Sequence, residues 1–410
     1  MPGALPEGED VPVDGSLPAA SVARLGEQPF GVYVHVPFCA VRCGYCDFNT
    51  YTATELGGGA SQAAYAATAA AELRLARRVL GAVELPAATV FFGGGTPTLL
   101  PADDLAMLLS TVAGEFGIGA GAEVTTEANP DSVDPQSLAR LREAGFTRVS
   151  FGMQSAVPHV LATLDRTHDP ERVPRAVEWA RSAGFEAVSL DLIYGTPGES
   201  MADWRSSLEA ALACDPDHIS AYALVVEEGT RLAVRVRRGE LPPPDDDELA
   251  DRYLLADELL SRNGYQWYEV SNWARTKDQR SRHNQGYWRG HDWWGTGPGA
   301  HSHVGGTRWW NVRHPTAYAG RLAHGQSPAA AREVLTPEQQ RVESVLLGIR
   351  LREGQPLTDL GAAGHLAARR AVEDGLLDRD AHANGPPAQP RRGRLVAAGG
   401  GGAPRAGPTW

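Results

Sequence analysis

The chain has 410 residues, of which 42% are hydrophobic and 21% are charged, and its formal net charge is −12. This composition is typical of a soluble globular protein, and the length favours one large domain with a smaller one. The acidic balance argues against a nucleic-acid partner, because no long run of Lys and Arg offsets it. The start lacks the pattern of a signal peptide, and no apolar stretch reaches the roughly 18 residues of a membrane span. We therefore predict a cytoplasmic protein.

The first half of the chain predicts an α/β fold. Residues 1–28 are rich in Gly, Pro, Ala and acidic residues, which indicates a disordered arm. Strand-like apolar runs then follow at 31–36, 88–92, 123–128, 148–153, 187–194 and 218–226. Amphipathic helical patterns separate them, so we expect a parallel sheet with helical crossovers. Six units are too few for a closed eight-unit barrel, which predicts a partial (β/α)6 barrel over residues 29–245, with its sites at the carboxyl ends of the strands.

The second half is less regular. An acidic, Pro-containing run at 241–265 leads into a region dense in Trp, Tyr, His and Gly. We predict a smaller C-terminal α+β or helical region over residues 246–383. Beyond it, residues 384–410 are rich in Gly, Pro, Ala and Arg, and we expect either a disordered tail or an aberrant coding end.

Three of the four cysteines, Cys39, Cys43 and Cys46, are spaced C-x3-C-x2-C directly after the first strand. In a reducing compartment such a group favours a metal over a disulfide. Three thiolates on one loop can hold three irons of a [4Fe–4S] cubane and leave the fourth iron open to a small chelating molecule. The amino and carboxylate groups of S-adenosylmethionine would suit that iron. A zinc site with His35 as the fourth ligand is the alternative.

The cysteine loop resembles the CxxxCx(aromatic)C signature of the radical S-adenosylmethionine superfamily. YVHVPFC, FFGGGTPTLL, TTEANP, SFGMQS, LDRTH and SLDLIYGTPGE are similar, in order, to the branch that contains oxygen-independent coproporphyrinogen III oxidases and haem chaperones. This resemblance covers about residues 30–350. It implies a [4Fe–4S] cluster on the three cysteines. It also implies S-adenosylmethionine contacts at Tyr33, Tyr45, Gly94, Gly95, Thr96, Glu127, Gln154, Arg166 and Asp191.

The residue types at these positions suit that ligand. Glycines allow close approach of the backbone, as the GGG run requires if it lines the methionine moiety. Glu127 and Asp191 suit an ammonium group or ribose hydroxyls, and Arg166 suits a carboxylate. Each residue alone also has a simpler interpretation, as a turn, a cap or a surface ion pair. Their joint occurrence at strand ends favours the cofactor.

Two features separate the carriers of this branch from its enzymes. The oxidases resemble CxxxCxxCxC, whereas Phe48 stands here at the position of the additional cysteine. His283–Trp288 spells HNQGYW, which resembles the HNxxYW signature of the haem chaperones. Imidazole is a good axial ligand for haem iron, and neighbouring aromatic rings can pack on the macrocycle. We therefore predict His283 as the haem ligand, with a histidine hydrogen-bonded in an aromatic core as the alternative.

The resemblance thus implies a haem chaperone that carries haem as cargo to acceptor haemoproteins, such as respiratory haem enzymes. A carrier role is favoured over an enzymatic one, and no catalytic residue is assigned. The alternative function is an oxygen-independent coproporphyrinogen III oxidase, which forms protoporphyrinogen IX by oxidative decarboxylation. A homodimer and peripheral contact with a membrane both stay open, since the sequence has no amphipathic anchor that decides the second.

Overall fold

The computed structural model describes residues 7–56, 62–375 and Leu377. Its strands are β1 Phe30–Val36, β2 Ala87–Gly94, β3 Ile118–Ala128, β4 Arg148–Gln154, β5 Ala187–Tyr194, β6 His218–Ala223, β7 Gln266–Glu269, β8 Asn272–Ala274, β9 Asp292–Thr296, β10 His301–Val304, β11 Thr307–Asn311 and β12 Ala329–Val334. Strands β1 to β6 pair in chain order and are all parallel. They form the arc of a barrel.

The helices of the described chain connect these strands and cover the outside of the arc. They are α1 Ala19–Val22, α2 Gln62–Leu80, α3 Ala102–Phe116, α4 Pro135–Ala144, α5 Pro158–Thr163, α6 Arg172–Ala183, α7 Met201–Ala213, α8 Arg231–Arg237, α9 Asp246–Arg262, α10 Arg282–Trp288, α11 Pro315–Ala323, α12 Pro337–Gly348 and α13 Ala362–Glu373. In this part of the chain no helix has the length and apolar character needed to cross a membrane.

Local sequence signals explain where the crossover helices begin and end. Helix α4 starts at a capping box between Asp134 and Ser137, with Pro135 at its first position. It ends at Gly145, whose φ of 109° is a backbone conformation that glycine adopts without steric cost. Ser200 and Asp203 form the same kind of box at the start of α7. Such caps fix the crossovers, and so the strands they connect.

The two faces of β1 to β6 differ in polarity because successive side chains point to opposite sides. Outward-facing residues such as Val34, Phe92 and Leu190 are fully buried beneath the helices and form the main hydrophobic core. Each stabilises the fold by about 1.5–3 kcal/mol relative to an exposed side chain. Inward-facing residues such as Glu127 and Asp191 line a cavity inside the arc. The hydrophobic core therefore lies between the strands and the surrounding helices, and polar side chains line the interior of the barrel.

The C-terminal region continues the same sheet at both edges. Strand β9 pairs in parallel with β1, and β10, β11 and β12 extend that edge with antiparallel pairing. At the other edge β8 and then β7 follow β6. The order runs from β12 to β7 without closing, so the described strands form the partial barrel that the sequence predicts. The domain boundaries at 29, 245 and 383 stay predictions.

Residues 7–28 pack against the C-terminal strands. Glu9 exchanges backbone hydrogen bonds of 2.8 and 3.0 Å with Arg332, and the buried Ser21 hydroxyl lies 2.7 Å from the hydroxyl of Thr307. The prediction of a disordered arm is therefore wrong for these residues. Val11, Leu17 and Leu25 of this segment pack against the main core, and hydrogen bonds with strands about 300 positions away hold it in place. Residues 1–6 and the predicted tail at 384–410 lie outside the described residues.

Candidate cofactor site

One cavity of about 470 Å³ occupies the inside of the barrel. Every residue predicted from the sequence to bind the cluster, S-adenosylmethionine or haem lines it. These residues are Tyr33, Cys39, Cys43, Tyr45, Cys46, Gly94, Gly95, Thr96, Glu127, Gln154, Arg166, Asp191 and His283. They come from five strands, three loops and a helix, so the fold alone brings them together.

The cysteine loop follows β1 and is held by backbone hydrogen bonds. Gly44 donates to the carbonyl oxygen of Leu164 at 3.1 Å and accepts from Leu232 at 2.8 Å. On the other side, the amide of Thr96 donates to Phe38 at 2.7 Å. A Cβ atom on Gly95 would overlap that same Phe38 carbonyl oxygen. The glycines of the GGG run thus allow close packing against the cysteine loop, in addition to any approach of a ligand.

The three thiols suit separate irons better than a single ion. Within the described residues, no three His, Cys, Asp or Glu side chains are grouped closely enough to bind one metal ion. In a cubane each thiolate binds a different iron, which fits three cysteines spread around one cavity wall. The residues that line the cavity do not include His35, whose ring nitrogens hydrogen-bond to Tyr33 at 3.0 Å and to the carbonyl oxygen of Asn49 at 2.9 Å, so a zinc ion there would have to replace one of these bonds.

The buried thiols would need a nearby positive charge to ionise. Burial raises the pKa of Cys39 to about 11 and that of Cys46 to about 12, with the neighbouring cysteines adding to the shift. A metal centre reverses this effect because it stabilises the thiolate form. Arg166 supplies part of that charge, with its Nη1 3.7 Å from the sulfur of Cys43. The donor set therefore fits an iron–sulfur cluster.

Arg166 is a half-buried residue of the cavity wall, and its hydrogen bonds are to site residues. Its Nη2 donates to Asn129 at 2.6 Å and to the carbonyl oxygen of Gly152 at 2.7 Å. Its Nε has no hydrogen-bond partner among the described residues. Gln154 is the last residue of β4, the strand that contains Gly152. Its φ of 61° is rare for a residue with a side chain. Strain of this kind accumulates where backbone geometry serves a site.

Two acidic residues face each other across the barrel interior. Glu127 accepts a hydrogen bond of 3.1 Å from the amide of Gly94, and Asp191 accepts one of 2.7 Å from the Ser150 hydroxyl. Burial, followed by the charge of Asp191, raises the pKa of Glu127 to about 8. Burial also raises the pKa of Asp191. A cationic ligand between them would lower both values, since it favours the charged carboxylates.

His283 lies at the opposite end of the cavity from the cysteines. Its ring packs 5.0 Å from that of Phe91, and it sits beside Thr89 at the start of β2. Nδ1 lies 2.8 Å from the hydroxyl of Thr89, and Nε2 lies 2.6 Å from the hydroxyl of Tyr287. Burial lowers its pKa to about 3, so the ring is neutral at physiological pH. Both nitrogens are engaged, which matches the alternative that the sequence left open.

Helix α10, which carries the HNQGYW motif, closes the amino ends of the strands. The carboxylate of Glu123 accepts hydrogen bonds from the amides of Arg282 at 3.1 Å and His283 at 3.0 Å. Ser281 caps the same helix through Asn284. We call the amino ends of β1 to β6, together with α10, the floor of the barrel.

Comparison with known proteins agrees with this arrangement. Residues 33–211 match the family described as the Radical SAM superfamily. The chain is 55% identical over 357 residues to a protein named heme chaperone HemW from Mycobacterium tuberculosis (strain ATCC 25618 / H37Rv), covering 87% of this chain and 90% of that one. It is 34% identical over 323 residues to a protein of the same name from Bacillus subtilis (strain 168), covering 78% and 83%.

The chain belongs to the HemW family of the radical SAM superfamily.

The fold of this HemW-family chain is also that of a solved radical SAM enzyme. Coproporphyrinogen III oxidase (HemN) from Escherichia coli superposes with a TM-score of 0.76 at 23% identity, over 92% of this chain and 90% of the enzyme. At that identity the likeness shows the fold alone. Phe48 lines the cavity at the position where the oxidase sequence pattern has its additional cysteine.

Sequence reasoning missed several polar residues of this HemW-family cavity. Arg148 and Asn272 are examples, and both line the barrel interior. Arg148 shares its strand face with Ser150 and Gly152, so the alternation of β4 could have indicated it. Asn272 lies on β8, a short strand between β6 and β7 that the sequence pattern did not predict.

Proposed function

We propose that this chain is a cytoplasmic haem chaperone that holds a [4Fe–4S] cluster and S-adenosylmethionine and delivers haem to acceptor haemoproteins. The observation that carries the proposal is the convergence of all predicted cofactor residues on one cavity in a chain 55% identical to a relative named heme chaperone HemW. Acceptors such as respiratory haem enzymes, a homodimer and peripheral membrane contact remain predictions.

Cys39, Cys43 and Cys46 would hold the cluster. When reduced, a cluster of this type can supply one electron to the sulfonium of S-adenosylmethionine. Gly44 fixes the loop between the second and third ligands through its hydrogen bonds to Leu164 and Leu232. The Arg166 guanidinium beside Cys43 favours the thiolate that binds iron.

S-adenosylmethionine would occupy the cavity next to the cysteine loop. Arg166 is placed to bind a carboxylate, because its guanidinium is buried and keeps an unused Nε donor. Glu127 and Asp191 would bind cationic or hydroxyl groups and would ionise on doing so, given their raised pKa values.

His283 is our candidate haem ligand, and the structure defines what ligation requires. Its neutral imidazole is the form that binds iron. Since Nε2 lies 2.6 Å from Tyr287 and Nδ1 2.8 Å from Thr89, one of these hydrogen bonds must be exchanged for the metal. The remaining bond would then orient the ring, as partners of metal-bound histidines commonly do.

An anaerobic haemin titration followed by the Soret band tests this function. Saturable binding near one haem per cluster-reconstituted chain is expected, with weaker binding by His283→Ala. His324→Ala is the matched control, because His324 is exposed at the end of α11 and only bonds to Gly320. Unchanged binding by His283→Ala would reject the ligand assignment and keep the carrier.

The absence of saturable haem binding would instead reject the carrier.

The cluster is tested separately by iron and labile-sulfide analysis of Ala variants at Cys39, Cys43 and Cys46. Cys214→Ala is the control, since its thiol bonds to Ala210 outside the cavity. Equal iron in all four variants would contradict the cluster assignment.

A further inference from the structure

We propose that the floor of the barrel is an anion-binding subsite, in which the guanidinium of Arg148 binds a carboxylate of the molecule in the cavity. This inference rests on the proposed function for the identity of that molecule. Arg148 is only 3% exposed and lines the cavity. Its Nη1 donates to the carbonyl oxygen of Gln279 at 2.8 Å, whereas its Nη2 has no partner among the described residues.

A buried arginine with an unpaired Nη2 needs an explanation. Burying a charge without a counterion is costly, and buried guanidinium groups are normally paired with carboxylates or phosphates. In the part of the chain that the structure describes, Arg148 has no ion-pair partner. The guanidinium is a rigid fork suited to two parallel hydrogen bonds with a carboxylate. Its unused Nη2 therefore marks the place of a ligand group.

The acidic residues around the floor do not replace that ligand group. Glu123 uses its two carboxylate oxygens on the amides of α10, and Asp191 accepts from Ser150. Glu269 bonds to Asn272, and burial raises its pKa to about 8, so it is mainly neutral at pH 7. Arg148 favours the ionised form of Asp191 electrostatically, but its Nη2 has no hydrogen-bond partner among the described residues and is therefore left available to an incoming anion.

Asp191 lies close enough to Arg148 to feel its charge, but the other predicted S-adenosylmethionine contacts on this side, Gln154 and Arg166, lie towards the opposite end of β4. Arg148 is the first residue of β4 and Gln154 the last, and at about 3.3 Å per residue these ends lie roughly 20 Å apart. Arg166 donates a hydrogen bond to the carbonyl oxygen of Gly152, near the carboxyl end of β4. The cavity therefore has a guanidinium at each end, which fits a second carboxylate-bearing group.

Two sources of that carboxylate have the same chemistry. One is a propionate of haem, which would also bring the macrocycle near His283 on the same floor. The other is the carboxylate of S-adenosylmethionine bound lower in the barrel. We commit to a carboxylate as the ligand group, and the experiment separates the two sources.

The test compares wild type, Arg148→Gln, Arg148→Lys and the control Arg140→Gln, whose side chain pairs with Asp103 on the surface. Each protein is titrated with haemin, with haemin dimethyl ester, whose propionates are blocked, and with S-adenosylmethionine. If haem is the source, Arg148→Gln is expected to weaken haemin binding by about tenfold or more, which corresponds to about 1.4 kcal/mol. Arg148→Gln should leave the affinity for haemin dimethyl ester unchanged, and Arg148→Lys should retain part of the affinity for haemin.

If Arg148→Gln weakens only S-adenosylmethionine binding, the subsite stands and that molecule is the source. A second measurement does not depend on either ligand. Arg148→Met should raise the free energy of unfolding of the ligand-free protein, because it removes an unpaired buried charge. Unchanged affinities for both ligands in Arg148→Gln would overturn the subsite, and a destabilised Arg148→Met would contradict the premise that its buried charge is unpaired.

Failure of the proposed function has a different signature. A wild type that binds no haemin rejects the haem carrier. The S-adenosylmethionine titration and the stability of Arg148→Met then test whether Arg148 forms an anion-binding subsite, and neither measurement depends on haem.

Discussion

The side-chain amide of Asn49 donates a hydrogen bond of 2.8 Å to the carbonyl oxygen of Pro298. The same Nδ2 atom donates to the carbonyl oxygen of Arg313 at 2.9 Å. Asn49 lies three residues after Cys46, so these bonds connect the cysteine loop to the C-terminal strands. Gly299 allows the contact, because a Cβ atom there would lie 2.6 Å from the Asn49 nitrogen. The C-terminal region is therefore a structural part of the cluster site.

We expect Asn49→Ala to lower both stability and cluster content. The substitution removes the donor to the buried carbonyl oxygen of Pro298, whereas that of Arg313 keeps a 3.2 Å hydrogen bond from Tyr51, and the loss costs on the order of 1–3 kcal/mol of the free energy of unfolding. Anaerobic denaturant titration and iron analysis would measure the two effects. Asn263→Ala is the control, because Asn263 makes a similar 2.8 Å bond to Leu259 at an exposed helix end. Equal iron content in both variants would show that the loop does not need this connection.

Gly95→Ala tests the packing of the GGG run against the cysteine loop. The new Cβ would overlap the carbonyl oxygen of Phe38, one residue before the first cysteine, so the loop must move. We expect a marked loss of bound iron and of S-adenosylmethionine affinity. Gly114→Ala is the matched control, since nothing lies within 4 Å of its Cβ position in α3 and alanine favours helices by up to about 1 kcal/mol. Full cluster occupancy in Gly95→Ala would contradict this role.

The barrel was predictable because its signals are local. The strand at 187–194 has the bounds that its apolar pattern predicts. The predicted strand at 218–226 ends early, at Ala223. Its partner β5 ends at Tyr194, which pairs with Ala223, so the apolar residues beyond have no neighbouring strand to continue the ladder. Pairing limits of this kind depend on a second segment and are not visible in the pattern of the first.

The remaining features depend on distant contacts. His283 bonds to Thr89, which lies 194 positions away, and no spacing in the sequence indicates that pairing. The strands β7 to β12, which extend the sheet beyond β1 and β6, are short, and aromatic residues obscure the alternation of their apolar and polar side chains. The residues of the cysteine loop could be predicted because they form one continuous motif. The polar floor could not, since it is assembled from strand starts and the closing helix.

The stability of the protein should depend on pH through Glu72. This carboxyl is fully buried and accepts hydrogen bonds from Gly297 and Asn311, both at 2.8 Å, and from Tyr318 at 2.5 Å. Burial nevertheless raises its pKa from 4.5 to about 7. Because the pKa is higher in the folded protein, the folded state binds more protons between these values. The contribution of Glu72 to the free energy of unfolding therefore falls as the pH rises through this window.

Glu72→Gln makes that contribution measurable. The variant should be less stable than wild type, since an amide cannot accept all three hydrogen bonds. The difference should shrink by up to on the order of 3 kcal/mol as the pH rises from 4.5 to 7, and then stay level. Denaturant titrations across this range would measure it, with the exposed Glu143→Gln as control. A difference that is constant or grows with pH would contradict the raised pKa.

Tyr287→Phe tests whether His283 must release its hydroxyl partner to bind haem. The phenylalanine keeps the ring that packs 4.7 Å from Trp293 but removes the hydroxyl 2.6 Å from Nε2. A hydrogen bond of this kind contributes about 1 kcal/mol, so freeing Nε2 should tighten haem binding about fivefold. Soret titrations of wild type, Tyr287→Phe and the double variant with His283→Ala would measure this.

The double variant should lose the gain, because the benefit of Tyr287→Phe acts through the imidazole. Tyr265→Phe is the control, since its buried hydroxyl donates to Pro216 at 2.5 Å outside the cavity. Equal haem affinity in Tyr287→Phe and wild type would mean that iron does not replace this hydroxyl, and Thr89→Val would then test release at Nδ1. If neither variant changes haem binding and His283→Ala also leaves it intact, the histidine serves only to hold α10 on the floor of the barrel.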